Sequence, residues 1–123
     1  MISLILMLLA GMFNACMDVI DFHYTVSIFQ NWKPKQWIDP ALSWKNKWKN
    51  GDPAQGERFL GSSTIFVFVT DFWHFCEFLM MLAICFAIVF YHPLIFWWTD
   101  IIFMFAAYSI TFEVFFSKIL KKS

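Results

Sequence analysis

Three long apolar segments dominate this chain of 123 residues and limit what it can fold into more than any other feature. They cover approximately residues 2–29, 64–91 and 94–117. A helix that crosses the hydrocarbon core of a membrane needs about 20 mainly apolar residues, and each segment is long enough. The sequence therefore predicts an all-α membrane protein with three transmembrane helices, in a single membrane domain over residues 1–123.

The composition excludes several other classes of protein. Hydrophobic residues make up 60% of the chain and charged residues only 15%, whereas a soluble domain has about 45–50% apolar and about 25% charged residues. A soluble core of this size has no room for 17 Phe and 7 Trp. The composition also argues against a disordered chain, a disulfide-rich secreted module and a basic nucleic-acid-binding protein.

The connections between the apolar segments differ in kind. A loop over residues 30–63 joins the first two segments and holds most of the prolines and glycines. His92-Pro93 separates the last two, and because the residue before a proline disfavours helix, we expect a tight helical hairpin there. A hydroxyl residue near Thr64 is the expected N-cap of the second helix. No Lys or Arg precedes the first apolar run, so we expect a retained helix rather than a cleaved signal peptide.

Basic residues predict how the helices are oriented. All nine Lys and Arg lie in the loop over residues 30–63 or at the C-terminus, where they are Lys118, Lys121 and Lys122. Short segments rich in Lys and Arg remain on the cytoplasmic side of the membrane. We therefore expect a protein of the bacterial inner membrane with its N-terminus outside and with its loop and C-terminus in the cytoplasm.

The loop interleaves Trp with Lys, which is typical of a segment at the membrane surface. A short interfacial helix is expected from Pro40 to Lys49. Two interpretations stay open: an inert anchoring belt, or a lip that binds lipid headgroups over an active site. Because the flanking helices hold the loop at the bilayer, nucleic acid is not an expected partner. The expected headgroup contacts are Trp44, Lys45, Lys47, Trp48 and Lys49.

Ionisable side chains inside the apolar segments are the strongest functional signal. A charge in the middle of the bilayer costs at least about 2.5–3.5 kcal/mol, so such residues usually face the bundle interior or water. Helical spacing at about 1.5 Å per residue places seven of them at similar depth in the cytoplasmic half. Asp100 and His92 form a second, weaker cluster near the other face. The seven are Asp18, Asp21, His23, Asp71, His74, Glu77 and Glu113.

Three hypotheses explain this cluster. In the first, the chain is a structural or accessory subunit of a membrane assembly, and the polar groups lock its helices together. In the second, it is a metal-dependent intramembrane hydrolase acting on lipid headgroups or phosphodiesters. In the third, it is a proton or cation path. The hydrolase would use Asp71, His74 and Glu77 in catalysis and a zinc-like divalent metal as cofactor. Its candidate ligands are Asp18, Asp21, His23, Asp71 and His74.

Three short helices can barely enclose seven polar groups, so we expect a homo-oligomer or a partner membrane subunit, surrounded by membrane lipids. The three cysteines, Cys16, Cys76 and Cys85, lie inside the apolar segments. They resemble small buried apolar residues, and we expect no disulfide.

Several short stretches give the chain a resemblance to a set of small integral membrane proteins of Bacteroidetes-type bacteria and their phages. The resemblance implies no activity, fold or cofactor, so it adds nothing to the hypotheses above. It rests on residues 14–18 (NACMD), 43–48 (SWKNKW), 61–64 (GSST) and 70–74 (TDFWH).

Overall fold

The computed structural model describes residues 1–121 as three long helices with a folded loop between the first and the second. The first long helix is α1, Ile2–His23. The loop contains two short helices, α2 at Lys35–Ile38 and α3 at Pro40–Ser43. The other long helices are α4, Phe72–Val89, and α5, Trp97–Val114. Lys122, one of the basic residues expected in the cytoplasm, lies outside the described residues.

Each long helix, with its adjoining turns, is long and apolar enough to cross a membrane. The predicted all-α fold with three candidate spans is therefore confirmed. The helix α1 lies between the other two: 39% of its apolar stretch is buried, against 17% for α4 and 6% for α5. Because α4 and α5 scarcely approach each other, α1 supplies most of the contacts that hold the three helices together.

Hydrogen bonds at both ends show that α1 and α4 are antiparallel. Near the start of α1, the Ser3 hydroxyl donates to the Ala87 carbonyl of α4 over 2.6 Å. At the other end, the Trp73 indole N–H donates to the Asp21 carboxylate over 2.9 Å. Such bonds satisfy polar groups that would otherwise face hydrocarbon, and they fix the register of the two helices.

The contact between α1 and α5 depends on a glycine. A Cβ atom at Gly11 would lie 2.3 Å from the carbonyl oxygen of Tyr108 and 3.2 Å from the backbone nitrogen of Phe112. Farther along, the His23 ring meets the Phe116 ring edge-on, with centroids 5.3 Å apart. A later residue of α1 meets a later residue of α5 or of the turn that follows it. The two helices therefore run parallel, as expected of the first and third spans.

The second long helix begins later than the sequence indicated. It was expected from about Thr64, but residues 61–70 form turns and α4 starts at Phe72. The cause is Asp71, which is the N-cap and accepts the backbone N–H of His74 over 2.8 Å. A carboxylate is a strong N-cap, and apolar content alone does not reveal where the first helical hydrogen bond forms.

The third long helix also begins later, at Trp97 rather than Leu94. The buried carboxylate of Asp100 accepts the Tyr91 hydroxyl over 2.7 Å and the backbone N–H of Leu94 over 2.9 Å. These bonds hold the segment between α4 and α5 in an extended turn instead of a tight hairpin. The expected pairing of Asp100 with His92 is not made in this segment, where Tyr91 takes that position and His92 is exposed.

The loop folds differently from the expected interfacial helix over Pro40–Lys49. The helix α3 ends at Ser43, and a single 3-10 turn follows at Trp44–Lys47. Trp48 is extended and pairs with Glu57 through a backbone bridge. The loop therefore doubles back on itself at the end of the bundle where α1 ends and α4 begins, instead of forming one continuous helix along the surface.

Glu57 stabilises this doubled-back loop. Its carboxylate accepts the Ser63 hydroxyl and the backbone N–H of Gly61, the latter over 3.1 Å. These donors, the Ser63 hydroxyl first, lower the pKa of Glu57 below its ordinary value.

We predict that the loop loses this stabilisation as the pH falls. A carboxyl with a depressed folded pKa contributes fully above its unfolded value, about 4.3, and loses that contribution as the pH falls through the folded value. The Gly61 amide resonance in NMR spectra is expected to titrate with a midpoint below about 4.3. In Glu57→Gln it should stay flat. The same titration in that variant would assign the change to another group.

Two cysteines test the packing of α1 against α4. Cys16 and Cys76 are both buried and lie close to each other in the core where α1 packs against α4, whereas Cys85 is exposed on α4. All three are free thiols. The sequence spacing gave no indication of this contact, because it arises only when the two helices cross.

We expect copper phenanthroline, with dissolved oxygen as oxidant, to join Cys16 to Cys76 in membranes. The oxidised chain should migrate faster on a non-reducing gel and lose two free thiols on alkylation. Cys85→Ser should keep the shift and Cys76→Ser should abolish it. A shift that depends on Cys85 would show that α4 is rotated from its position here.

Candidate functional site

A groove of about 300 Å³ lies where α1 ends, α4 begins and the loop folds over both. Its lining combines acidic, basic and aromatic side chains in a small volume. We call it the Asp–His groove; it is lined by Asp21, Pro40, Ser43, Trp44, Lys47, Asp71, Trp73 and His74.

A carboxylate and an imidazole form the floor of the groove. The Nδ1 atom of His74 lies 2.8 Å from Oδ2 of Asp71. The Asp71 side chain is only 5% exposed and that of His74 is 26% exposed. When the carboxylate accepts a hydrogen bond from Nδ1–H, the neutral ring leaves Nε2 as its acceptor nitrogen. A protonated ring would donate from both nitrogens, so His74 can serve either an anion or a hydroxyl group in the groove.

The α1 side of the groove is held by Trp73. Its indole N–H donates to one oxygen of the exposed Asp21 carboxylate. The Trp73 ring also lies edge-on to His74, with centroids 4.8 Å apart. Asp21 is thus oriented through one oxygen and keeps the other for a ligand or water.

The loop side of the groove is fixed by amide contacts. The Asn46 side chain donates to the carbonyl oxygens of Gln36 and Thr70, both over 2.8 Å. The Ser62 hydroxyl donates to the Lys47 carbonyl over 2.7 Å. These bonds tie the turn that carries Lys47 to the chain just before α4. Sequence reasoning did not single out Asn46 or Trp73 as site residues. The one signal that could have pointed to Asn46 was its position between two lysines.

Lys47 and Asp21 share the groove without pairing with each other. Within residues 1–121, the one ion pair joins Asp71 to His74. Lys47 and Asp21 therefore both line the groove without forming an ion pair with each other. Lys45, which was expected at the headgroup level, lies with its ammonium 5.6 Å from the centre of the Trp44 ring.

The structure brings together three of the seven ionisable residues that were expected to meet: Asp21, Asp71 and His74. Asp18 lies one turn before Asp21 on α1 and is half-buried. Asp71 lies at the end of α4 rather than well inside the span, because α4 begins after it.

The other three residues lie elsewhere. His23 packs against Phe116. Glu77 is half-buried one turn beyond His74 and does not line the groove. Glu113 is exposed on α5, where its carboxylate accepts the Ser117 hydroxyl over 2.6 Å. Helical spacing gave the face of each residue on its own helix, but not the direction in which that face points.

The described residues give the metal hypothesis no set of side chains that could bind the ion. Among the side chains of residues 1–121, no group of three or more His, Cys, Asp or Glu is placed to hold a metal ion. The candidate ligands Asp18 and His23 lie on α1 outside the groove lining. Asp21, Asp71 and His74 line it, but as a hydrogen-bonded pair and a separate carboxylate.

Comparison of the chain with protein-family models, with curated proteins and with solved structures finds no match. The resemblance to small membrane proteins of Bacteroidetes-type bacteria and their phages therefore stays a prediction.

Proposed function

We propose that this chain is a small polytopic protein of the bacterial inner membrane that acts as an accessory subunit of a membrane assembly. Its N-terminus lies outside, and the loop and the C-terminus lie in the cytoplasm. This orientation rests on the basic residues of the loop and the C-terminal end, which the positive-inside rule assigns to the cytoplasm.

The observation that carries the proposal is the position of Glu113. This carboxylate is exposed on the span Trp97–Leu120, about 10 Å from its end at about 1.5 Å per residue. It lies five positions after Tyr108, which places it about 140° around α5 from that residue, whose carbonyl meets Gly11. Ionisable residues in spans almost always face a bundle interior or a water-filled cavity. A neighbouring helix that covers Glu113 would supply that interior.

Charge favours a partner of different sequence over a second copy. A two-fold contact between two α5 helices uses the same surface patch on both chains. It would bring Glu113 against Glu113, and like charges repel, most strongly away from water. A partner helix with a basic or hydroxyl side chain at that depth would instead complete the hydrogen bonding of the carboxylate.

The bonds of the Asp–His groove also support a structural role. The Asp71 carboxylate caps α4, and the Trp73 indole N–H bonds α4 to α1, so both side chains hold α4 in place. The hydrolase alternative has less support because Glu77, its third catalytic candidate, lies outside the groove. An ion path has less support because the buried core between α1 and α4 is apolar, with Ala15, Val19 and Ile20 at its centre.

Native mass spectrometry of protein released from membranes in a mild detergent tests the proposal. We expect wild-type protein to appear with another membrane subunit, and Glu113→Leu to appear mainly alone. Phe105→Leu, a change at another exposed position of α5, is the matched control and should keep the complex. Wild-type monomers, or complexes that Glu113→Leu leaves intact, would contradict the proposal.

A further inference from the structure

We infer that the Asp–His groove binds a phosphodiester joined to an ammonium group, as in the headgroup of a zwitterionic phospholipid. This inference concerns only the groove at the loop end of the bundle. It does not depend on Glu113 or on any partner of α5.

The position of the groove at the ends of candidate spans places it where lipid headgroups are expected. It opens at the end of α1 and the start of α4, which are the ends of two candidate spans. Trp44, on its rim, is 43% exposed, and tryptophan is enriched at the boundary between headgroups and hydrocarbon. A lipid in the adjacent leaflet can reach the groove with its headgroup while its acyl chains stay beside the helices.

The charges of the groove match a ligand that carries both signs. Lys47 offers an ammonium, and the protonated form of His74, paired with the Asp71 carboxylate, offers its Nε2–H, for a phosphate oxygen. Asp21 keeps one carboxylate oxygen for a cation. Since Lys47 and Asp21 line one groove without forming an ion pair, a zwitterion can fill the space between them. A purely anionic headgroup would satisfy Lys47 but would place negative charge beside Asp21.

Two indole rings strengthen the site for the ammonium group. Trp44 and Trp73 line the groove together with Asp21. A cation over the face of a tryptophan is attracted by the negative face of the ring, and more strongly as the cation is desolvated. Because Trp73 also orients the Asp21 carboxylate, the same residue would hold the aromatic and the acidic parts of the ammonium site together.

Competition between lipids with identical acyl chains tests the inference. The full chain would be incubated in detergent with equimolar phosphatidylethanolamine and phosphatidylglycerol, and retained lipid would be counted by native mass spectrometry. We expect wild-type protein to retain phosphatidylethanolamine about tenfold over phosphatidylglycerol, which corresponds to about 1.4 kcal/mol. Equal retention, or a preference for phosphatidylglycerol, would overturn the inference.

Three variants assign the preference to the groove. Asp21→Asn still accepts the Trp73 N–H, so the fold is kept while the preference for the ammonium lipid should be lost. Lys47→Gln should weaken retention of both lipids about fivefold, since one lysine near a headgroup contributes about 1 kcal/mol. Lys33→Gln removes an exposed charge outside the groove and should change neither. An unchanged preference in Asp21→Asn would overturn the inference.

A final arm separates lipid from a soluble source of the same chemistry. Glycerophosphoethanolamine would be added in millimolar excess to wild-type protein that has retained phosphatidylethanolamine. Displacement shows that the groove recognises the headgroup by itself, and retention shows that the acyl chains contribute. Displacement from Asp21→Asn to the same extent as from wild-type protein would show that the diester binds elsewhere, against the inference.

Discussion

Replacing Gly11 with leucine is expected to separate α1 from α5 and to prevent the three-helix fold. The closest atom to a new Cβ is a backbone oxygen of Tyr108, at 2.3 Å. A backbone atom in the middle of a helix cannot rotate away, so the helices must move apart. Because α1 is the helix that both others contact, displacing α5 removes one of the two principal interfaces of the bundle.

The milder change Gly11→Ala gives a sharper measurement. Alanine has a higher helix propensity than glycine by about 1 kcal/mol, which would stabilise α1 by itself. Overpacking of a close contact costs typically about 1–3 kcal/mol, and the 2.3 Å approach leaves no room for relaxation. We therefore expect a net loss of stability. The midpoint of thermal unfolding in detergent, measured by circular dichroism, should be lower than that of wild type.

The control for Gly11→Ala is Leu9→Ala, at a position of α1 that is 39% exposed. Exposed substitutions away from special features usually change stability by no more than about 0.5 kcal/mol. A Gly11→Ala protein that is more stable than wild type would mean that helix propensity prevails and that α1 and α5 are not in close contact.

Asp71→Leu is expected to have the second largest effect on stability. The change removes an N-cap, which costs roughly 0.5–2 kcal/mol. It also removes the buried charged partner of His74, and hydrogen bonds to charged groups contribute about 1.5–3 kcal/mol. The sum is about 2–5 kcal/mol of unfolding free energy, a large share of the stability of a small domain. Chemical or thermal unfolding in detergent measures it.

Asp71→Asn separates the two contributions. Asparagine caps helices as well as aspartate does, so its side-chain oxygen can still accept the His74 backbone N–H. Only the charge is lost, and we expect this variant to recover about half of the stability lost in Asp71→Leu.

The matched control is Asp52, whose side chain accepts the backbone N–H of Ala54 over 2.9 Å in the loop. Asp52→Leu loses the cap of a single turn and should cost about 1 kcal/mol or less. Equal losses in Asp71→Leu and Asp52→Leu would show that the start of α4 has no special role in the fold.

The sequence was sufficient to predict the three long helices but not the residues at which α4 and α5 begin. Spanning length is a property of composition, so the three apolar segments were visible at once. The start of α4 was not, because Ile65 to Val69 are as apolar as the helix itself and only the cap at Asp71 breaks the pattern. The apolar run therefore continued through a stretch that the structure folds into turns.

The groove was predictable only in part. The spacing of Asp71 and His74 placed both on one face of a helix, and the structure joins them in one pair. Nothing in the sequence brought Lys47 to that face, because its position depends on Asn46 bonding to Gln36 and Thr70 across the loop. Long-range contacts of this kind are set by the folded chain rather than by local spacing.

The central position of α1 has a consequence for how the chain can change. Apart from contacts such as that of the Tyr108 hydroxyl with the Met80 sulfur, α4 and α5 reach each other mainly through α1. A substitution in α1 therefore alters two interfaces, while one on the outer side of α5 alters none within the chain. Systematic mutagenesis should find α1 intolerant at Gly11 and Ala15, and the outer side of α5 permissive to any apolar exchange. Sequence drift should accordingly be slowest in the first span and, apart from the face around Glu113, fastest in the third.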